Sequence, residues 1–323
     1  MQADRRGRGC VPVFWRKSKM TDIIVVGGGP AGMTAALYAQ RNGKSALVLE
    51  KHGFGGQITY SPKVENWPGT AQMSGNEYAE ALLDQIMAQG AEVDLAEVVR
   101  IEDHGDFKRV FTDDGLERDA KAVIVAAGVK HRMLGLPGEN ELVGEGISFC
   151  AVCDGDFYTG KTVCVAGGGN SALQEAILLS GKCDKVIMLQ DLPDFTGEKK
   201  LQEILFSRPN VEKHAGVKIT ALNTEEGLLR SVTIQPQAGG EETQVACDGL
   251  FVAIGLIPEN DAFAHLAELN KWGYFDSDER CETKTPGIFV AGDCRSKTVR
   301  QLTTAAADGA TAALAACRYI DSL

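Results

Sequence analysis

The 323 residues carry 33 basic and 44 acidic side chains, a net charge of −11, with 44% hydrophobic and 24% charged residues. That length predicts about two domains, and the composition is that of an ordinary globular protein, not a disordered or fibrous one. Arg5, Arg6, Arg8, Arg16, Lys17 and Lys19 face only Asp4 in residues 1–19, leaving the remainder at −16; so acidic a body argues against nucleic acid or an anionic membrane as partner. No run of 18 apolar residues exists, and the basic leader lacks the apolar core of a signal peptide. Because Met20 directly precedes the first strand, residues 1–19 are expected to be a misplaced start or a disordered tail, with a targeting peptide as the lesser alternative. Nine cysteines without a repeating framework point to a reducing compartment, with the cytoplasm as default, and those inside apolar runs read as small core residues.

Asp22–Val26 is an apolar strand running into Gly27-Gly28-Gly29-Pro30-Ala31-Gly32, and Met33–Arg41 follows at helical spacing, stopped by Asn42-Gly43. A second strand, Ser45–Leu49, ends in Glu50 at the expected distance from the glycines. This is a dinucleotide-binding unit. Gly27 makes the tight turn, Gly29 admits the pyrophosphate to the backbone, Gly32 permits close helix–strand packing, and Glu50 reads the ribose hydroxyls. Gly55-Gly56-Gln57 and Val64–Gly69 give loop signals, and 76–89 reads as an amphipathic helix. Strands are expected at 92–101, 107–112, 116–119 and 122–126, the last leading into Ala127-Gly128.

The pattern then restarts. Leu136-Pro137-Gly138 reads as a linker, Cys150-Ala151-Val152-Cys153-Asp154 follows, and strand 161–166 enters a second glycine turn, Gly167–Gly169, ahead of a helix and strand 185–189. Strands at 217–222, 228–234 and 249–253 precede a second linker at 255–258. Strand 287–291, Gly292-Asp293 and an Ala-rich helix over about 301–320 close the chain. The expected fold is α/β with two Rossmann-like units, the second (133–255) inserted into the first (20–132 and 256–323). The C-x-x-C pair has three readings. A zinc site needs a second cysteine pair, which is lacking; a structural disulfide does not suit a chain without a secretion signal; redox activity fits both facts.

After residue 20 the chain resembles the bacterial-type, low-molecular-weight thioredoxin reductase family. Gly27–Gly32 and Glu50 resemble its FAD fingerprint, Gly55-Gly56-Gln57 and Asn66 its second FAD contact region, and Cys150–Asp154 its redox centre. Gly292-Asp293 and Arg300-Gln301 resemble the segment holding the ribityl chain and flavin ring, and Gly128 is carried over as a cofactor contact. The cysteines lie in the inserted unit, residues 55–60 hold none, and the C-terminal helix has no His, unlike glutathione-reductase-like enzymes. The resemblance implies an FAD-dependent homodimer that reduces thioredoxin, with no metal. Cys153 is expected nearer the flavin, Asp154 to protonate it, Cys150 to attack the thioredoxin disulfide, and the inserted unit to rotate about hinges at 136–138 and 255–258.

The departure is at the second unit. NADPH-using members carry a His-Arg-Arg run and a further Arg, where this chain has Gln190, Asp191, Leu192 and Thr196. An acid opposite a 2′-phosphate costs on the order of several kcal/mol. Three donor readings follow: NADH with Asp191 on the ribose, NADPH through other cations such as Lys199 or Lys200, or loss of nucleotide binding. The third resembles the ferredoxin-dependent flavin thioredoxin reductases and is favoured, with Arg295, Lys297 and Arg300 as the expected basic dock for ferredoxin. A flavin redox sensor and an oxygen-dependent dithiol oxidase are the rivals from other classes.

Overall fold

A computed structural model of the chain describes residues 20–61 and 64–323; the expectation for residues 1–19 lies outside them. Strand β1 (Thr21–Val26) is apolar without alternation because both its faces are covered. It leads into α1 (Pro30–Arg41), which begins on Pro30, where the missing N–H costs nothing. The first sheet adds β2 (Ala46–Glu50), then α2 (Gly75–Ala88) with a Ser74–Glu77 capping box, then β3 (Glu92–Leu95), β4 (Val98–Asp103), β5 (Lys108–Thr112) and β6 (Glu117–Val125). Its order is β3-β2-β1-β6-β5-β4. Ile23 and Val25 face α1 and α2, while Ile24 and Val26 face Phe263 and Phe275, so alternate residues feed two cores.

The expected strand over 92–101 is two: β3 follows β2 as far as the Ala96 N–H on the Glu50 carbonyl, and from Val98 β4 pairs with β5 instead. The expected strands over 116–119 and 122–126 are one. The first half of β6 pairs with β5 on the edge where its second half receives β17 (Ile288–Val290), labelled here by its place in the chain. The final strand therefore returns to the first sheet, as the sequence suggests.

Between them runs β7 (Val129–His131), then β8 (Ile147–Ser148), α3 (Ala151–Asp154), β9 (Thr162–Ala166), α4 (Asn170–Leu179), β10 (Lys185–Gln190), α5 (Lys199–Phe206) and β11 (Val211–Ala215). An antiparallel trio, β12 (Val217–Glu225), β13 (Leu228–Pro236) and β14 (Thr243–Ala246), precedes β15 (Gly249–Val252) and β16 (Leu256–Pro258). The second sheet is parallel in the order β11-β10-β9-β15-β8. The chain crosses between sheets on β7 and β16, which pair antiparallel with His131 opposite Leu256. The second expected linker, 255–258, runs along that ribbon, and the first, 136–138, lies outside it. The buried Glu139 carboxylate accepts the N–H groups of Leu134 (2.8 Å), Gly135 (2.7 Å) and Leu136 (3.2 Å) and pins the Leu-Pro-Gly turn.

The closing helix α6 (Leu302–Asp321) is Ala-rich because it crosses α1 at backbone contact. A Cβ on Gly309 would lie 2.0 Å from the Ala31 carbonyl oxygen.

Candidate functional site

At the first glycine turn, Gly27 has φ +106° and a Cβ there would lie 2.3 Å from the Ala126 oxygen, so only glycine closes the turn. Gly32 is closed by the Gly27 oxygen in the same way, 1.9 Å from a Cβ, and does not reach the cavity. Gly29 differs: its open side meets nothing nearer than 3.9 Å, as a backbone that receives a ligand requires. Glu50 stands at the turn, accepting from Gly28 N–H (2.7 Å) and His52 N–H (2.9 Å). Gly55 donates to the Gly28 carbonyl (2.8 Å), which lays Gly56 over Gly29; Gln57 Nε2 donates to the Val129 carbonyl at the crossing ribbon.

Asn66 Nδ2 donates to Gln301 Oε1 (3.2 Å), joining two expected contact segments. Gly292 adopts φ +79° against Ala31. Asp293 is half-buried at the cavity wall; its enclosed Oδ1 has Lys297 Nζ at 3.4 Å as an ion partner but no hydrogen bond, and burial raises its pKa against the pull of Lys297 and Arg300. Arg300 lies 4.3 Å over the Tyr274 ring.

The expected basic patch is not there. Arg295 is buried and spent on Asp308 Oδ1 (2.8 Å), Ser277 Oγ (3.0 Å) and the Asp278 carbonyl (2.7 Å), and Lys297 donates to Asp308 Oδ2 (3.0 Å). Both cations fasten the 292–297 loop to α6 from inside.

Cys150 and Cys153 are joined in a disulfide, their Cα atoms 5.3 Å apart, across the single turn of α3. Cys150 Sγ accepts the Cys153 N–H (3.2 Å), a bond that strengthens when that sulfur becomes a thiolate. Asp154 sits behind the pair. Its Oδ2 accepts from Ser148 Oγ (2.6 Å), which in turn accepts the Cys150 N–H (3.1 Å), and its Oδ1 is buried without a partner. Burial raises the Asp154 pKa and the Ser148 bond pulls it down, so this carboxyl holds a proton more tightly than an exposed one. His131 stacks on Phe149 at 4.3 Å with its pKa pushed down to about 4 by burial, and is a neutral ring on the cavity wall. Among the described residues the remaining six cysteines, Cys164, Cys183, Cys247, Cys281, Cys294 and Cys317, are buried and unpaired, as expected of core residues.

The second glycine turn repeats the first with one change. Gly27 N–H donates to the Leu49 carbonyl (2.8 Å) and Gly167 N–H to that of Leu189 (2.9 Å), so Gln190 occupies the register of Glu50. The Gln190 amide is buried over Gly168 and donates to the Asp194 carbonyl (3.3 Å). Asp191, the expected ribose reader, is exposed one residue further on. Thr196 and Gly197 donate back to the Gly168 carbonyl, and Glu198 exchanges hydrogen bonds with Asn170 at the start of α4. Lys199 and Lys200 are exposed and outside the cavity, whereas Lys218 lines it.

One cavity of about 2410 Å³ runs over both glycine turns and the disulfide. It is lined by Gly27, Gly29, Pro30, Ala31, Glu50, Gly56, Gln57, Asn66, Gly128, Cys150, Cys153, Gly292, Asp293, Arg300 and Gln301. Of the expected site residues, Gly32, Gly55 and Asp154 stand behind the wall. A flavin adenine dinucleotide fits this lining: an open Gly29, an acid at the ribose position, and an unmatched Asp293 oxygen suited to a hydroxyl donor. Sequence reasoning missed His131, Arg132, Glu175 and Lys218, which carry no motif and reach the wall only through tertiary packing. Among the described residues no cluster of metal ligands exists, and no helix is long and apolar enough to cross a membrane.

The model of the pyridine nucleotide-disulphide oxidoreductase family matches residues 21–309. The thioredoxin reductase of Bacillus subtilis (strain 168) is 37% identical over 307 residues, covering 95% of this chain and 97% of that protein. A 34.2 kDa protein in the rubredoxin operon of Clostridium pasteurianum is 37% identical over 94% of this chain and 99% of its own length. The crystal structure of thioredoxin reductase from Streptococcus pyogenes superposes with a TM-score of 0.88 at 36% identity, covering 94% of this chain and 99% of that one.

Proposed function

We propose, from the premise that the chain belongs to the pyridine nucleotide-disulphide oxidoreductase family, that it is a thioredoxin reductase whose electrons come from reduced ferredoxin rather than NADPH. The enzyme class is that of a flavin disulfide oxidoreductase, supported by the relatives above and by a disulfide that opens on the same cavity as the first glycine turn. Gly29, Glu50, Gly56, Asn66, Asp293 and Gln301 would hold FAD, and a bound flavin would supply two electrons to the disulfide. Cys153, with the Asp154 carboxyl behind it, takes the proton when the bond opens. Cys150, whose sulfur is stabilised by the Cys153 N–H, attacks the thioredoxin disulfide, and Cys153 resolves the mixed disulfide. Turning the centre toward a protein substrate requires motion about the β7–β16 ribbon, and the working unit in this reading is a cytoplasmic homodimer.

The observation that carries the donor assignment is the second glycine turn. A neutral Gln190 stands where Glu50 stands in the first, the acid Asp191 follows it on the cavity wall, and Glu198 is bonded to Asn170 at the α4 N-terminus, where a dinucleotide's phosphates belong. Like charge there opposes NADPH and leaves the inserted unit as a scaffold for the cysteines. The test is an anaerobic titration of the flavin-loaded protein with NADPH, NADH and reduced ferredoxin, following flavin absorbance and then thioredoxin reduction. Bleaching by ferredoxin alone is expected. Bleaching by micromolar NADPH would overturn the donor.

A further inference from the structure

Glu175 lies on α4, outside every motif, and it lines the cavity shared with Cys150, Val152 and Cys153. Its Oε2 is buried without a hydrogen-bond partner, as is Oδ1 of Asp154, so two carboxyl groups each present an unmatched oxygen in one region. Packing brings them together. α3 rests on α4 through Ala151 against Ala172, Ala176 and Leu179, and Leu179 Cδ2 is 3.4 Å from a Cβ placed on Gly155. Glu175 is one helical turn before Leu179, on the same stripe, which puts its carboxyl over α3 beside Asp154.

We propose that Glu175 is a positioning residue for the Cys150–Cys153 centre, kept in its acid form beside Asp154 so that Asp154 can release its proton to Cys153. This deepens the disulfide reductase reading and rests on it. Opening the disulfide takes up two electrons from the bound flavin and leaves two sulfur anions. The Asp154 carboxyl passes its proton to the Cys153 sulfur and becomes a carboxylate, while Cys150 stays a thiolate under the Cys153 N–H. The new Asp154 carboxylate forms easily only when its neighbour is neutral, because two anions in one buried region repel each other. Burial first, and the Asp154 charge second, push the Glu175 pKa up to about 8, so Glu175 is neutral at pH 7.

The surrounding charges leave this pair to itself. Tyr158 faces Asp154 with its own pKa raised to about 12, Lys182 is engaged by Asp156, and Arg208 from beyond α5 is spent on the Ile177 carbonyl and Ser180 Oγ. Glu198 is tied to Asn170 at the far end of α4, and His131 is neutral behind Phe149. Among the described residues Asp154 is the one titratable group that acts on Glu175, and it does so once it has given up its proton.

The test is the midpoint potential of the Cys150–Cys153 couple against pH in the flavin-loaded protein, equilibrated in dithiothreitol redox buffers and read by thiol alkylation. The wild type should bend near pH 8, where Glu175 ionises, and Glu175→Gln should lose that bend while keeping its flavin and far-ultraviolet circular dichroism. A bend that persists in Glu175→Gln overturns the proposal. Should that variant fail to fold, infrared spectra of the wild type decide instead. A protonated-carboxyl C=O band that disappears between about pH 7 and 9 is expected, and its absence overturns the proposal as well. Neither readout involves thioredoxin or the electron donor, so a protein that fails to reduce thioredoxin would refute the functional reading and leave this one standing.

Discussion

Asp308 is the residue on which the flavin side of the site hangs, and Asp308→Asn tests that. Its Oδ1 accepts from Arg295 (2.8 Å), and its Oδ2 from Lys297 (3.0 Å) and Gly292 N–H (3.1 Å). The Arg295 and Lys297 side chains are only 8% and 11% exposed, so their charges are compensated by this carboxylate and not by water. Asparagine keeps the shape and one acceptor oxygen, but turns an NH2 group toward one of the two cations. Removing one partner of a buried ion pair costs about 3–5 kcal/mol, and the isosteric change leaves no cavity to share the effect. The Gly292-Asp293 turn loses its anchor at the same time, so flavin retention should fall with stability. Urea unfolding followed in parallel by circular dichroism and flavin fluorescence measures both, since two sheets need not unfold together. A loss below about 1 kcal/mol with full flavin retention would mean that Arg295 and Lys297 reach solvent and that the argument is wrong. The same geometry makes Arg295→Glu with Lys297→Glu useless as a docking test. It would set two acids against Asp308 and disrupt the loop itself.

Glu139→Gln should weaken the Leu134–Leu136 turn, because its carboxylate takes three backbone N–H groups; at about 1.5–3 kcal/mol per bond to a charged acceptor, a loss of a few kcal/mol is expected. Amide hydrogen exchange at Leu134, Gly135 and Leu136 should speed up with it, and unchanged protection would count against the pin. Gly309→Ala should lower the melting temperature by the equivalent of about 1–3 kcal/mol or more, as α1 and α6 must part to admit a Cβ 2.0 Å from the Ala31 oxygen. A neutral effect would show that the helices do not touch there. Glu175→Gln should also alter stability with pH. The folded protein holds the Glu175 proton to about 8 and the unfolded chain releases it near 4.5, so between these values the folded state binds more protons and loses stability as pH rises. The wild type should therefore fall behind the variant across that window in denaturant titrations, and parallel curves would refute the buried acid.

Local chemistry was legible in the sequence where it is enforced locally. A glycine turn, the helix after it and an acid at the next strand end are set by backbone geometry within about thirty residues, and the cysteine pair within four. The charged residues were legible as charges but not as partners. Arg295 and Lys297 form a cationic run in the sequence, and their neutralising acid stands more than ten residues away on a helix whose facing side is decided by contact with α1. Glu139 was invisible for the opposite reason. One carboxylate converts a Leu-Pro-Gly stretch with every sign of a linker into a fastened turn, and composition cannot report three hydrogen bonds.

The two glycine turns show where the sequence carries most information. Once Gly27 and Gly167 are aligned through the carbonyls of Leu49 and Leu189, the residue that must face a ribose is fixed as Glu50 in one unit and Gln190 in the other. A duplicated unit supplies its own reference. The first copy shows what a functional position contains, and the second, lacking the carboxylate, has kept the backbone of a nucleotide site without its charge. Asp191 follows it on the wall of the same cavity but does not occupy the register of Glu50. In the proposed reading the second unit takes no dinucleotide, and installing a donor site there would take both an acid at 190 and removal of the acids at 191 and 198.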